Sequence, residues 1–207
     1  MESIWLTHAK RLRGIAGVGL RFTEGEYDRE RYEEIEAIAD AMMAALGNVP
    51  VERITGLVAD AERDYPTPKA DVRGALIEGD TILLVRERSD GRWTLPGGFA
   101  DVGLSPAANI EKEMFEEAGL RVAADRLYAV RHKAAHGYDP DVRDFYKMFF
   151  LWSRLDDLAP TIGIETSEVG FFRLDELPPL STGRTIYADI EAAFAFTADP
   201  GLATLFD

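Results

Sequence analysis

The chain has 207 residues, enough for one or two domains with a sizeable core. It has no cysteine, which excludes disulfides, thiolate metal sites and a cysteine nucleophile, and a zinc site would depend on His8, His132 and His136. A net charge of −14 argues against binding of extended nucleic acid, although a metal ion can bridge acidic side chains to a small phosphorylated substrate. No apolar run approaches the length of a membrane span and the first ten residues lack a signal-peptide core, so we expect a cytoplasmic protein without membrane contact.

Two amphipathic helices are predicted in the first part of the chain. The first spans about residues 4–19, and the second spans about residues 28–46, capped by Asp28 and ended by Gly47. Apolar side chains recur in them at helical spacing: Trp5, Ala9, Leu12, Ile15 and Ala16, then Ile35, Ile38, Met42, Met43 and Leu46. Two helices cannot bury both apolar stripes by themselves, so we expect packing on the rest of the chain or a homodimer formed through these helices.

An acidic, proline-containing connection over residues 49–68 leads into a region rich in strands. We therefore expect a helical domain over residues 1–65 and a second domain over residues 66–207. In the second domain the pattern predicts strands over 71–77, 81–86, 93–95, 121–134, 144–154 and 169–173, helices over 106–118 and 185–196, and a hairpin turn at 78–80. This mixed order indicates an α/β or α+β sandwich.

The helix over residues 106–118 carries the strongest functional signal. Ser105 is a candidate N-cap, Pro106 suits the first helical position, and Gly119 suits a left-handed C-cap. The apolar residues share one stripe and the acidic residues share another sector: Ala107, Ile110, Met114 and Ala118 against Glu113, Glu116 and Glu117. Carboxylates this close repel one another and destabilise the helix. A bound Mg²⁺ or Mn²⁺ would make their interaction favourable instead. The alternative is a solvated acidic helix face.

A side-chain-poor turn over residues 95–98 precedes this helix, and its glycines allow a backbone carbonyl to reach a metal ion or a phosphate. Together, turn and helix resemble the signature of the Nudix hydrolases, the Nudix box. The positions that match at the correct spacing are Gly98, Glu113, Met114, Glu116, Glu117, Gly119 and Leu120. Leu104 stands where the box has Glu, and Lys112 stands where it has Arg.

The resemblance extends over most of the chain. Residues 5–12, 27–34, 67–73, 91–98, 100–103 and 165–172 resemble a Nudix subgroup that has a helical N-terminal domain. Its members hydrolyse nucleoside diphosphates linked to a group X, such as CDP-choline. That subgroup commonly has Lys at the position of Lys112, which leaves Leu104 as the departure that matters.

The resemblance implies an α/β/α sandwich and metal-dependent cleavage of a diphosphate in a small nucleotide substrate. One or more Mg²⁺ or Mn²⁺ ions would be held by the carbonyl of Gly98 and by carboxylates, with either Glu113 or Glu117 as the base. The implied carboxylate ligands are Glu113, Glu116, Glu117 and, on a later loop, Glu165. A solvated loop acid is the alternative for Glu165.

Several alternatives remain open at this stage. Arg86 is a candidate phosphate contact and Trp93 a candidate base-stacking residue, and for both the alternative is a purely structural role. ADP-ribose or a nucleotide sugar is the alternative to a CDP-choline-like substrate. Because Leu104 cannot bind a metal ion or a water molecule, a nucleotide-binding protein with weakened catalysis is a further alternative, and a structural dimer module is the last.

Overall fold

The computed structural model describes residues 2–58, 66–101 and 103–207. The chain forms two compact units. The first ends at Lys69 and also includes Pro140–Asp144, and the second consists of Ala70–Asp139 and Phe145–Asp207. Within the described ranges no helix is both long and apolar enough to cross a membrane.

The first unit is helical, with α1 at Ile4–Phe22, α2 at Glu26–Gly47 and α3 at Val51–Val58. The Ser3 hydroxyl caps α1 by accepting from the Leu6 amide. Helix α2 begins two residues before Asp28, so the predicted Asp28 cap is wrong; Gly25 is the N-cap, and Asn48 ends the helix in the left-handed conformation at φ 49°. Helix α3 lies where we expected a connection without a helix, and residues 59–65 of that connection fall outside the described ranges.

The core of the first unit uses only part of the predicted apolar stripes. Its buried members are Leu6, Ala9, Met43, Ala44 and Ile54. Trp5 and Ile38 expose 61% and 50% of their surface, although both belong to those stripes. Contiguous exposed apolar side chains are typical of an interaction surface, and the second unit also exposes large apolar side chains, such as Phe206.

The second unit is built on a mixed sheet of eight strands among the described residues. The strands are β1 Lys69–Glu78, β2 Thr81–Glu87, β3 Trp93–Thr94, β4 Gly97–Phe99, β5 Val122–His132, β6 Phe145–Arg154, β7 Thr166–Arg173 and β8 Leu205–Phe206. The order is β3-β2-β1-β6-β5-β8, with β4 also paired to β1 and β7 to β2; β8 runs parallel to β5. The strand β1 is shared, because its residues 71–73 pair with β4 and its last two residues pair with β2.

Two helices cover the two faces of this sheet. Helix α4, Pro106–Ala118, packs on one face through Ile110, Met114 and Ala118. Helix α5, Tyr187–Ala198, packs on the other face through Ile190, Ala193 and Phe196. Successive residues of β2 alternate between the two cores, with Leu83 facing α4 and Leu84 facing α5. The predicted sandwich with a mixed sheet is therefore confirmed.

Most of the predicted elements occur with shifted ends. The strand predicted over 121–134 stops at His132 because a 3-10 turn, Lys133–Ala135, follows it. The final helix begins two residues later than predicted, since the Asp189 carboxylate accepts from the Ile186 amide at 2.9 Å and caps the helix there. Strands β4 and β8 were not predicted, because two or three residues give no readable alternation.

Candidate active site

Helix α4 has the bounds that its sequence predicts. The Ala108 amide donates to the Ser105 hydroxyl at 3.1 Å, Pro106 occupies the first turn, and Gly119 takes a left-handed φ of 68°. Each end is fixed by a residue suited to that end, which sets the rotation of the acidic sector. The three glutamates therefore occupy defined positions on the helix.

The turn before α4 lies in tight contact with β1. Gly97 has φ 133° and its backbone lies against Val72 so closely that a Cβ atom would overlap the Val72 carbonyl. Its neighbour Gly98 faces Glu113, whose carboxylate oxygen lies 3.6 Å from the place a Cβ would occupy. Only glycine fits the first position. At the second, the missing side chain leaves backbone beside a carboxylate.

Glu117 is the most deeply buried acid of the helix, with 6% of its surface exposed. Its Oε2 accepts a hydrogen bond from the Gly97 amide at 3.0 Å. Burial raises the pKa of Glu117 to about 8, and the positive charge of Arg73 and the Gly97 hydrogen bond oppose that rise. Burial also raises the pKa of Glu113, against the charge of Lys112. The positive charges near these two neighbouring carboxylates are thus too weak to offset the effect of burial on their pKa values.

The other predicted acidic ligands lie further out. Glu116 is exposed, and its Oε2 lies 3.0 Å from the Lys112 ammonium, which also pairs with Asp101 at 3.2 Å. Glu165 is exposed as well, and it precedes Thr166, whose hydroxyl donates to the Glu117 carbonyl at 3.0 Å. The loop of Glu165 is therefore fastened to the end of α4, whereas its carboxylate makes no hydrogen bond or ion pair recorded for the described residues.

A divalent cation fits the chemistry of this site. Carboxylate and backbone carbonyl oxygens are the ligands that Mg²⁺ and Mn²⁺ prefer, and Glu113, Glu117 and the turn supply them side by side. A bound cation would favour the ionised form of both carboxylates and so oppose the rise in pKa that burial causes. Among the residues the structure describes, no three acidic or histidine side chains already converge on one point. Glu116 in particular is paired with Lys112 instead.

Arg86 and Trp93 lie away from the glutamates. The two residues pair across β2 and β3. The Trp93 ring packs on the Phe172 ring, with 4.7 Å between the ring centroids, and it joins the core under α5. The Arg86 guanidinium donates to the Gly91 carbonyl at 2.7 Å and pairs with Glu168. Both side chains thus have structural partners on the face opposite α4, and their contact with substrate stays a prediction.

A buried group of charges under the turn was missed by the sequence reasoning. Arg73 donates from Nε and Nη2 to the two oxygens of Asp71 at 3.1 and 3.0 Å, and the Lys147 ammonium lies 2.6 Å from the same carboxylate. All three residues are at most 5% exposed. Burial lowers the pKa of Lys147 to about 8 against the charge of Asp71, whereas the pKa of Asp71 is lowered because its two cationic partners outweigh burial. Two features of the sequence could have revealed this cluster: charged residues at alternate positions of β1, and a lysine among the aromatic residues of β6.

Leu104 lies on the loop that enters α4, with 43% of its surface exposed. That loop is held by Asn109, a second residue that the sequence reasoning missed. The buried Asn109 side chain accepts from the Asp101 amide at 2.7 Å and donates to the Ser105 carbonyl at 3.1 Å. The path of the loop therefore depends on Asn109 and leaves the Leu104 side chain at the surface.

Comparison with known proteins agrees with this geometry over both units. Residues 3–58 match the model of the UDP-X-like N-terminal oligomerisation domain, and residues 68–194 match the NUDIX domain model. A putative ADP-ribose pyrophosphatase of Bacillus subtilis (strain 168) is 44% identical over 207 residues, which are 100% of this chain and 99% of that protein. The chain belongs to the Nudix hydrolase family, as its glycine turn and acidic helix predict.

Two crystal structures extend the comparison. The structure of a UDP-X diphosphatase is 30% identical, covers 98% of each chain and has a TM-score of 0.63. An ADP-ribose pyrophosphatase from Streptococcus suis 89-1591 is 39% identical, covers 68% of this chain and 100% of its own, and has a TM-score of 0.62. The likeness to the first includes the helical N-terminal unit as well as the Nudix domain.

The buried carboxylate of Asp71 gives the first prediction. Its pKa is below the ordinary value of 3.8, so its stabilising effect is fully present above that pH and is lost as the pH falls through the folded-state pKa. At pH 7, Asp71→Asn should lower the free energy of unfolding by about 3 kcal/mol, because two buried cations lose their shared anion. Below pH 4 the difference from the wild type should shrink. Urea unfolding across this pH range measures it.

The exposed Asp157 provides the control for that experiment. Asp157→Asn should change the stability by less than about 0.5 kcal/mol at either pH. An Asp71→Asn variant with the same deficit at pH 3.5 as at pH 7 would contradict the assignment.

Proposed function

We propose that this Nudix hydrolase cleaves the diphosphate of a CDP-choline-like nucleoside diphosphate linked to X, giving a nucleoside monophosphate and a phosphorylated X. The observation that carries the proposal is the pairing of Glu113 and Glu117 with the Gly97–Gly98 turn. The likeness to a UDP-X diphosphatase over 98% of the chain supports the class of substrate. An acidic protein can hold such an anion when a cation lies between them.

Nudix hydrolases generally use divalent metals, and we propose Mg²⁺ or Mn²⁺ here. The carbonyl of Gly98 and the carboxylates of Glu113 and Glu117 would hold the ion, with Glu116 and Glu165 as further ligands. When bound, such an ion neutralises charge on the diphosphate and lowers the pKa of a bound water. Lys112 would have to exchange Glu116 for its other partner, Asp101, if Glu116 becomes a ligand.

The chain's own contribution to the reaction is a fixed proton acceptor. One oxygen of Glu117 accepts from the Gly97 amide, and the other oxygen would take a proton from the attacking water when a bound cation keeps the carboxylate ionised. Glu113 is less buried and lies on the adjacent turn of α4, so it is the alternative acceptor. Either group would act at a position set by α4 and the turn together.

ADP-ribose or a nucleotide sugar is a second candidate substrate. It is favoured by the 44% identity to a putative ADP-ribose pyrophosphatase over the full length of this chain. Both candidates share the diphosphate and differ in the base and in X, which the acidic helix does not contact by itself. The substrate panel below distinguishes them.

The first functional prediction concerns the turnover of substrate and the contribution of Glu117 to it. We expect release of a nucleoside monophosphate from CDP-choline, CDP-ethanolamine, UDP-sugars or ADP-ribose when Mg²⁺ or Mn²⁺ is present. Glu117→Gln keeps the shape and the hydrogen bond from Gly97 but removes the charge, so kcat should fall at least about 100-fold. Chromatographic analysis of the products measures the rate and identifies the nucleobase of the substrate that is cleaved. Metal-independent turnover, or full activity of Glu117→Gln, would sink the proposed mechanism.

Leu104 gives a second functional prediction. Because its side chain is exposed, Leu104→Glu should change the stability by less than about 0.5 kcal/mol. If the wild-type site is active, the substitution should change kcat by less than about tenfold, since the other ligands remain. Steady-state kinetics measure this. An inactive wild type that gains turnover from Leu104→Glu would instead favour a nucleotide-binding protein with weakened catalysis.

We further propose that residues 1–65 form a domain through which two copies of the chain associate, with residues 66–207 as the hydrolase domain. The match to an oligomerisation domain and the exposed apolar residues of α1 and α2 support this. Analytical ultracentrifugation should find a dimer at micromolar concentration. Trp5→Asp should weaken it, and Phe206→Asp, at a residue 80% exposed in the second unit, should leave it unchanged. A monomeric wild type would contradict the proposal.

A further inference from the structure

Three charged residues form a buried cluster directly under the glycine turn. The guanidinium of Arg73 makes a two-bond fork with Asp71, and Lys147 contacts the same carboxylate. Arg73 is 3% exposed and Lys147 is 1% exposed. Taking such charges out of water costs free energy. Their burial therefore suggests a role beyond packing.

The remaining nitrogen of Arg73 reaches the turn itself. Its Nη1 donates to the Leu95 carbonyl at 3.1 Å, two residues before Gly97. The turn is also held by the Gly74 amide, which donates to the Pro96 carbonyl at 2.9 Å, and by the Thr185 hydroxyl, which accepts from the Leu95 amide at 3.2 Å. Arg73 is the member of this set that connects the turn to the buried charges.

The position of the turn determines two contacts of the acidic helix. The Gly97 amide is the donor to Glu117, and the backbone at Gly98 faces the carboxylate of Glu113. Arg73 pairs with Gly97 across β1 and β4, so its side chain and its backbone act on the same segment. The charge of Arg73 also attracts the carboxylates of Glu117 and Glu87. A displaced turn would therefore change both contacts.

Only arginine can make these three hydrogen bonds at once. Its planar guanidinium has donors in a fixed fork, whereas the lysine ammonium is a compact point charge on a flexible stem. A lysine at this position would keep the charge but would have to give up the fork to Asp71 or the bond to Leu95. Substitution by lysine thus separates charge from geometry.

We propose that Arg73, oriented by Asp71, is a positioning residue for the hydrolase site. It fixes the Leu95–Gly98 turn so that the Gly97 amide and the Gly98 backbone stay in register with Glu117 and Glu113. This rests on the proposed function, because the turn and the two glutamates are its metal-binding and catalytic groups. Partners that orient ligands in this way are worth about 10- to 100-fold in metal affinity or activity.

The experiment compares Arg73→Lys with a matched control elsewhere in the chain. Arg143 makes a closely similar fork with Asp141, from Nε and Nη2 at 3.0 Å each, and it lies in the first unit. Three quantities are measured on the full chain of each variant. They are hydrogen exchange of the Gly97 amide by NMR, the Kd for Mn²⁺ alone by electron paramagnetic resonance, and kcat and KM on the substrate found for the wild type.

Arg73→Lys should speed exchange of the Gly97 amide at least about tenfold, weaken Mn²⁺ binding about tenfold and lower kcat more than KM changes. Arg143→Lys should leave all three at wild-type values. Circular dichroism confirms folding, and Arg73→Gln, which removes the charge and the fork to Asp71, replaces the lysine variant, with the same expected losses, if that one is unfolded.

If a folded Arg73→Lys variant keeps the wild-type exchange rate, Mn²⁺ affinity and kcat, the positioning role is overturned and the proposed function is not. The same losses in Arg143→Lys would also overturn it, since they would show a general effect of breaking a fork. A wild-type protein that binds no Mn²⁺ and hydrolyses none of the nucleotides would overturn the proposed function, and the positioning role would fall with it.

Discussion

The contact between the Gly97 backbone and β1 is the constraint on which the candidate site depends. There is no room for a Cβ atom between Gly97 and the Val72 carbonyl, and φ at Gly97 is 133°. The close approach lets residues 97–99 pair with β1 as a three-residue strand. That strand presents one amide to Glu117 and leaves Gly98 facing Glu113. The acidic helix can therefore be buried only in register with this turn.

Four of the buried charged residues of the second unit compensate one another locally. Asp71 and Glu117 contribute two carboxylates, and Arg73 and Lys147 contribute two cations, so the group has no formal net charge when all four are ionised. Each member then depends on the others, since removing one partner leaves an uncompensated charge away from water. The raised pKa of Glu117 shows that the compensation is weakest on the side of the helix. There, an added cation would be most favourable.

The sequence predicted the local elements with strong end signals and missed those without them. Helix α4 was predicted with its true bounds because Ser105, Pro106 and Gly119 each fit one place in a helix. Helix α3 was missed because its eight residues follow Pro50 within a stretch that reads as a connection. The stripes of α1 and α2 were predicted correctly as helical, but which residues face inward depends on partners that one helix does not specify.

The site was only partly predictable for a related reason. Glu113, Glu117 and Gly98 occur within twenty residues, so fixed spacing connects them, and the structure brings them together. Asp71, Arg73 and Lys147 lie on two strands far apart in sequence, and a charged residue in a strand is usually taken as solvent-facing. The neighbouring positions of β1 and β6 in the sheet create their cluster, and the sequence does not show that pairing. Arg86 and Trp93 were selected by residue type; the alternation of β2 places Arg86 on the other face, and Trp93 on β3 pairs with it there.

The sharing of β1 between β4 and β2 also limits how the length of this enzyme can vary. The segment between β3 and β4 bridges the gap where β1 leaves β4 and joins β2, and hydrogen bonds hold it at Leu95 and Pro96. An added residue there has no loop in which to be absorbed, since it would shift the strand register on one side of the gap. The hairpin tip at Gly79 has open space around it, and its neighbours Glu78 and Asp80 form their ion pairs through side chains rather than through the backbone. Insertions and deletions among relatives should therefore accumulate at that tip and be absent from residues 93–99.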